Sequence, residues 1–186
     1  MTAARTQRIL LRTVVALAVV LAVNGVWLSF FYRPDAAQAW SDLDLAPGSV
    51  DWPRLLHQAA AVLIILVAVA LLVVGVVVRR GWRPAGALLG LTLALAYTGL
   101  LLPWDQLALW AVTVGENFRG MWSAAFDDDV RFVLINGFEI SQTTLRLWLL
   151  VHSAALPVAF AVTLALLVGA SYRRSSPSLP ATSSGR

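Results

Sequence analysis

The sequence contains no cysteine and no lysine. Without cysteine the chain can form no disulfide, no thioether-linked haem, no thiolate-bound iron–sulfur cluster and no cysteine-built zinc site. All 14 basic residues are arginines, and most of them lie in short clusters beside apolar runs. Such clusters are typical of topology signals in membrane proteins. The isoelectric point near 10.6 therefore does not indicate a nucleic-acid partner.

Charge of either sign is also scarce, since 13% of the residues are charged and 59% are hydrophobic. This balance is typical of an integral membrane protein. Four apolar runs are long enough to cross a bilayer, where about 20 residues are needed: Ile9 to Phe31, Asp51 to Val78, Ala85 to Leu102 and Thr143 to Ala170. We expect an all-α bundle of four transmembrane helices over residues 1–174.

The segments outside these runs have their own character. Trp104 to Gln142 mixes aromatic and charged residues and is too polar to span, which predicts short helices on the membrane surface between the third and fourth spans. Residues 175–186 are rich in serine and proline and predict a disordered cytoplasmic tail. Arg5, Arg8 and Arg12 precede Thr13 to Phe31 as in a signal peptide, but this stretch lacks a clear cleavage site and predicts a retained helix.

Charge predicts the orientation of the chain. With both termini in the cytoplasm, nine of the 14 arginines lie on the cytoplasmic side and all ten acidic residues lie on the outer side. Arginine enrichment on the inner side is the usual arrangement. We therefore expect a multi-pass protein of the cytoplasmic (inner) membrane, in contact with lipid and with an acidic outer face for a partner.

The chain has two histidines, His57 and His152, and each lies near the predicted outer end of a span. A side chain that can carry charge is disfavoured in hydrocarbon, so an intramembrane histidine indicates a ligand, proton or cofactor site. Two histidines at similar depth on two helices could hold one haem between their imidazoles. The alternative is that both serve only as hydrogen-bonding groups between helices.

Three motifs carry a family resemblance. They read FYRPDAAQAWSDL after the first span, TGLLLPWDQLALW at the end of the third, and QTTLRLWLLVH at the start of the fourth. In this order they resemble the four-helix N-terminal part of cytochrome b, the core subunit of bc-type quinol oxidases, in the branch that carries a PWDQ motif. The resemblance runs from about Arg8 to Val168.

The resemblance implies two stacked haems, each held by one histidine from the second helix and one from the fourth. His57 and His152 match the outer pair, whereas the inner ligand positions fall on Leu71 and on either Leu166 or Leu167. An aliphatic carbon does not coordinate iron. The resemblance therefore predicts one non-covalent haem b, with both histidines as the axial ligands of its iron.

Four further residues match the family's outer haem site. Gly25 and Gly99 match glycines that let a porphyrin edge approach a helix, although both could be plain helix-packing glycines. Arg54 matches an arginine that pairs with a haem propionate, and Arg146 lies one position before its family counterpart; both could simply reach the lipid headgroups.

The family's complete quinol-oxidising site also needs a Pro-Glu-Trp-Tyr segment, which is missing from this sequence. We therefore expect an electron-transfer subunit of an oxidoreductase complex rather than a stand-alone enzyme: a single-haem cytochrome between an extracytoplasmic redox or iron–sulfur partner and the quinone pool. One alternative is a haem-free structural anchor. Another is the N-terminal half of a split quinol-oxidising cytochrome b, completed by a companion subunit of the C-terminal type.

Overall fold

The computed structural model describes residues 3–44, 51–117 and 140–173, and every regular element within those ranges is helical. The elements are α1 Ala3–Ser29, α2 Ala39–Asp44, α3 Asp51–Val77, α4 Trp82–Leu101, α5 Gln106–Asn117, α6 Gln142–Leu150, a π-helical turn Val151–Ala155 and α7 Leu156–Arg173. The predicted tail 175–186 lies outside the described residues, as does much of the predicted surface segment.

Four helical stretches are long and apolar enough to cross a membrane: Arg5–Ser29, Asp51–Val77, Trp82–Leu101 and Gln142–Ser171. The shortest has 20 residues, and at a rise of about 1.5 Å per residue such a helix is about 30 Å long. These stretches confirm the predicted bundle of four transmembrane helices, and α5 is a short helix between the third and fourth. The protein is a multi-pass membrane protein.

The four spans pack in a closed order. α1 lies on α3, α3 on α4 and α4 on α7, and α1 also contacts α7. One group of buried side chains fills the half of the bundle away from the histidines, and we call it the apolar core: Leu11, Val14, Ile64, Leu71, Ala85, Leu88, Phe160, Leu164 and Leu167. Large apolar side chains such as Val23, Leu66 and Val162 are exposed on the outside of the bundle, as suits a surface that faces lipid.

The helix ends follow local chemistry. α1 begins at Ala3, six residues before the predicted start, because the polar residues that precede the apolar run are themselves compatible with a helix. α3 begins at Asp51 with Pro53 in its first turn, where a missing N–H costs nothing. α4 follows Gly81, whose φ of 71° is a left-handed conformation that glycine adopts without strain.

Between α6 and α7 the fourth span contains one π-helical turn, which holds His152. The amide of Leu156 donates to the carbonyl of Val151, five residues earlier. Pro157 follows directly; it has no N–H to donate, and in an α-helix its ring would collide with the carbonyl of Ser153. The π turn takes up one extra residue, so positions beyond it are displaced by one relative to an unbroken α-helix.

We call the end of the bundle that holds the histidines the histidine end. At this end, hydrogen bonds connect the segment between α1 and α3 to the rest of the bundle. The Tyr32 hydroxyl donates to the carbonyl of Leu102, 2.7 Å away. The Gln142 side chain donates to the carbonyl of Pro34 and accepts the amide N–H of Ala36 at 2.6 Å. These bonds join the segment to the chain just beyond α4 and to the start of α6.

Candidate functional site

The two histidines, far apart in sequence, face each other between helices. His57 lies in the second turn of α3 and His152 in the π turn, and both are partly buried. Their ring centres are 6.3 Å apart and the ring planes are inclined at 58°. After Gln58 the rest of α3, from Ala59 to Val77, is wholly apolar, so the histidine pair lies at the polar end of this membrane-spanning helix.

Each imidazole packs on a glycine of a neighbouring helix. A Cβ atom added to Gly25 would lie 3.4 Å from Cε1 of His57, and one added to Gly99 would lie 3.0 Å from Cε1 of His152. The second distance is shorter than ordinary van der Waals contact. The structure thus brings together four of the residues that the sequence singled out, with one glycine against each histidine.

Sequence reasoning missed Thr98, which is 3% exposed and lies beside His152. Its Oγ1 is 3.0 Å from Nδ1 of His152 and also within hydrogen-bond distance of the carbonyls of Ala94 and Leu95. Because the hydroxyl can donate its single proton to one of those carbonyls, its Oγ1 can accept the Nδ1–H of the imidazole when the ring proton is on Nδ1. This arrangement leaves Nε2 of His152 with a free lone pair, as a metal ligand requires.

His57 differs in its surroundings. Its Nδ1 is buried and has no hydrogen-bond partner. A buried polar atom without a partner is uncommon and calls for an explanation. The two histidines therefore form a pair in space, but only one of them has its proton position fixed by a described neighbour.

The two predicted arginines lie on the same helices as the histidines. Arg54 is in the first turn of α3, where its Nη1 donates to the carbonyl of Leu43 at 3.0 Å. Arg146 is exposed on α6, six residues before His152. Their predicted pairing with propionates stays a prediction.

An ion pair that the sequence did not predict organises the histidine end. Arg33 donates to Asp42 through Nε at 3.0 Å and Nη2 at 2.6 Å, and its backbone amide donates to the same carboxylate at 2.9 Å. The carboxylate is 7% exposed and the guanidinium 65% exposed. These hydrogen bonds hold the pKa of Asp42 below its usual value, while burial and the nearby Asp42 carboxylate raise the pKa of Tyr32. These bonds hold the loop of residues 32–44 in place at the histidine end, and we call it the braced loop.

Comparison with known proteins decides the family. The family model described as cytochrome b/b6/petB matches residues 8–170. The chain belongs to the cytochrome b/b6 family. It is 27% identical over 149 residues to cytochrome b6 of Heliomicrobium gestii, covering 75% of this chain and 70% of that protein. It is 28% identical over 144 residues to cytochrome b of Allochromatium vinosum, covering 72% of this chain and 34% of that protein.

A solved structure shares the fold. A chain of a hyperthermophilic respiratory Complex III matches with a TM-score of 0.75 and 17% sequence identity, over 94% of this chain. The match covers 49% of that chain, so the present chain spans about half its length. These comparisons confirm the resemblance found in the three sequence motifs and the all-helical membrane fold.

Membership of the cytochrome b family implies haem b binding, and the histidine pair fits that group. An imidazole nitrogen binds a metal ion at about 2.0 Å, and it lies about 1.1 Å from the centre of its ring if the ring bonds are about 1.33 Å long. Two imidazoles that bind one ion from opposite sides therefore have their ring centres about 6.2 Å apart. The observed 6.3 Å agrees with this spacing. Within the described ranges no three His, Asp or Glu side chains gather to hold a bare ion. A haem iron needs only two protein ligands, because the porphyrin supplies the other four.

The positions that match the family's second haem lie in the apolar core. Leu71, 14 residues after His57, is 1% exposed. The sequence left Leu166 and Leu167 as alternatives; Leu167 is 6% exposed within the apolar core, whereas Leu166 is 66% exposed. The π turn explains this register, because it makes a spacing of 15 residues on the fourth span equivalent to 14 on α3.

Proposed function

We propose that the protein is a single-haem b-type cytochrome that serves as the membrane subunit of a respiratory or other redox complex. It would carry electrons between an extracytoplasmic redox or iron–sulfur partner and the quinone pool. The observation that carries this proposal is the contrast between the two ends of the bundle. One end has two facing histidines, each on a glycine, and the other has Leu71 and Leu167 in the apolar core.

The chain's residues have distinct tasks in this proposal. His57 and His152 would be the axial ligands, and Gly25 and Gly99 would leave room beside them. Thr98 holds the Nδ1–H of His152 and so keeps the opposite ring nitrogen available for a metal. A bound haem b would supply the one-electron chemistry. The chain contributes a dry and fixed environment, in which the ligand rings keep their orientation as charge changes.

The proposed haem count depends on the side chains that occupy the place of the family's second haem. Leu71 and Leu167 are buried among other apolar side chains and offer no coordinating atom. Leu11 and Ala85, which lie 14 residues before Gly25 and Gly99, belong to the same apolar core. A porphyrin at that position would have to displace this packing, which supports a count of one haem per chain.

The same contrast supports a location for the redox partner. Electrons would enter and leave at the histidine end, because the apolar core separates that end from the opposite surface by much of the ~30 Å hydrocarbon layer. The arginine distribution supports a cytoplasmic location for both termini and an extracytoplasmic histidine end. The partner is therefore expected at this end, over the loop braced by Arg33 and Asp42 and the predicted surface segment Trp104 to Gln142.

The haem count is tested by a pyridine haemochrome assay on purified protein of known concentration. We expect one haem b per chain with a low-spin bis-histidine EPR signal. Two haems per chain would contradict the single site. Absence of a haem band in protein purified from its native membrane would instead favour the haem-free anchor.

The partner surface is tested by crosslinking mass spectrometry on the native assembly. Because the chain has no lysine, the reagent should couple side-chain carboxylates, and all ten of these are predicted to lie outside. We expect links from the partner to the loop at residues 32–44. In a parallel experiment with an arginine-reactive crosslinker, partner links confined to residues 79–83 would show that the partner binds at the opposite end.

A further inference from the structure

Two buried polar atoms on adjacent helices have no hydrogen-bond partner. One is Nδ1 of His57 on α3, and the other is Oδ1 of Asn24 on α1, whose residue is 8% exposed. Asn24 directly precedes Gly25, the glycine on which the His57 ring packs. A donor and an acceptor are thus buried without partners at neighbouring positions, and a hydrogen bond between them would satisfy both.

The same local arrangement occurs a second time in the bundle, where the hydrogen bond is present. On α4, Thr98 precedes Gly99, the His152 ring packs on that glycine, and the threonine oxygen lies 3.0 Å from Nδ1. In both places a polar residue and then a glycine on one helix face a histidine on the neighbouring antiparallel span. Thr98 shows that the residue before the glycine can reach Nδ1 in this geometry.

We propose that Asn24 is the positioning residue of His57: its Oδ1 accepts the Nδ1–H of the imidazole, as Thr98 Oγ1 does for His152. The terminal torsion of an asparagine is broad, so the amide can turn toward the ring without leaving a favoured conformation. The bond fixes the proton on Nδ1 and leaves Nε2 as the coordinating atom. This inference rests on the proposed function in that it assigns a role to His57 as a ligand.

A hydrogen-bond acceptor at the far nitrogen makes an imidazole ligand more basic, and a more basic ligand favours the oxidised metal. Removal of the acceptor should therefore shift the one-electron equilibrium toward the reduced form. For Asn24→Leu, which removes the oxygen but keeps the size of the side chain, we expect a shift of up to about tenfold. For a one-electron couple that corresponds to about 59 mV toward higher potential.

Redox titration of the haem band in purified protein tests this with three further variants. Asn24→Thr restores an oxygen at the position and should keep the wild-type potential. Thr98→Val should raise the potential through the other histidine. Thr92→Val is the matched control, because Thr92 is 4% exposed, donates to the carbonyl of Leu88 at 2.7 Å and should leave the potential unchanged.

The outcomes separate cleanly. A higher potential, or a loss of haem, in Asn24→Leu that Asn24→Thr reverses supports the proposal. An Asn24→Leu protein with the wild-type potential, in a series where Thr98→Val is shifted, overturns it. Haem loss that Asn24→Thr fails to reverse also overturns it, since packing and not the oxygen would then be decisive.

A second measurement distinguishes this failure from failure of the proposed function. The chain has two histidines, so imidazole-¹⁵N labelling reports few ring nitrogens. If wild-type protein carries no haem, the proposed function fails, and the spectrum of that protein still decides the inference. A His57 proton fixed on Nδ1 in wild type and Asn24→Thr, but not in Asn24→Leu, supports it. Identical spectra in all three overturn it.

Discussion

A methyl group at Gly99 should weaken haem binding more than a methyl group at Gly25. The added carbon at Gly99 would lie 3.0 Å from Cε1 of His152, and the ring cannot retreat freely because Thr98 holds its Nδ1 at 3.0 Å. At Gly25 the nearest atom is 3.4 Å away, the limit of ordinary contact. At Gly90 nothing lies within 4 Å, which makes it the matched control.

The magnitude follows from the overpacking. Alanine is favoured over glycine in a helix interior by about 1 kcal/mol, but this preference acts on the haem-bound and the haem-free protein alike. Overpacking costs about 1–3 kcal/mol, and where bound haem keeps the His152 ring in place this cost falls on the haem-bound state. At Gly99 the loss is then up to about 3 kcal/mol, or on the order of a hundredfold in haem affinity. At Gly25 the contact is ordinary and at Gly90 there is none, so both variants should keep the wild-type affinity.

The assay is the ratio of haem to protein after purification, followed by haem loss to an excess of an apoprotein acceptor. We expect Gly99→Ala to lose haem fastest. Gly25→Ala and the control Gly90→Ala should both lose haem at the wild-type rate. Equal loss from Gly99→Ala and Gly90→Ala would refute the close contact between Gly99 and the ligand ring. Membrane insertion should be unchanged in all three, because alanine is more apolar than glycine.

Two further predictions concern the ligands and the braced loop. His57→Ala and His152→Ala should each abolish the low-spin EPR signal. Leu71→Ala should keep the signal and lose only about 2–5 kcal/mol of folding stability, because it leaves a cavity. A surviving signal in either histidine variant would mean that another residue binds the iron. Because hydrogen bonds from Arg33 lower the pKa of Asp42 from 3.8, their contribution to stability is present above pH 3.8 and is lost as the pH falls through the lower folded-state pKa. Pepsin cleavage within residues 30–44, relative to cleavage elsewhere, should therefore rise as the pH falls below 3.8, and Asp42→Asn should remove this dependence.

The membrane spans could be predicted from sequence because hydrophobicity over about 20 residues decides them. The predicted start of the third span, Ala85, is three residues after the observed start of α4 at Trp82, since polar flanking residues can extend a helix beyond the apolar run. Gly99 and His152 could be predicted because two of the motifs contain them, and His57 because it is one of only two histidines in the sequence.

Other features depended on geometry that the sequence does not display. The choice between Leu166 and Leu167 requires the π turn, whose amide-to-carbonyl pairing becomes visible only in three dimensions. Thr98 donates within its own helix, as many membrane threonines do, and only the structure shows that it also meets His152. The bond between Arg33 and Asp42 joins residues nine apart across a loop, where no periodic pattern applies.

The apolar core bears on how the protein would respond to voltage. Moving one elementary charge across a membrane potential of 100 mV changes its energy by about 2.3 kcal/mol, but a charge confined to one end of the bundle crosses only part of that field. Beyond the histidine pair, in the described part of the chain, an electron would meet saturated side chains such as those of Leu71 and Leu167. The reduced fraction of the proposed cytochrome should therefore depend weakly on membrane potential. Work against the potential would have to be done by a partner that moves the charge across the remaining thickness.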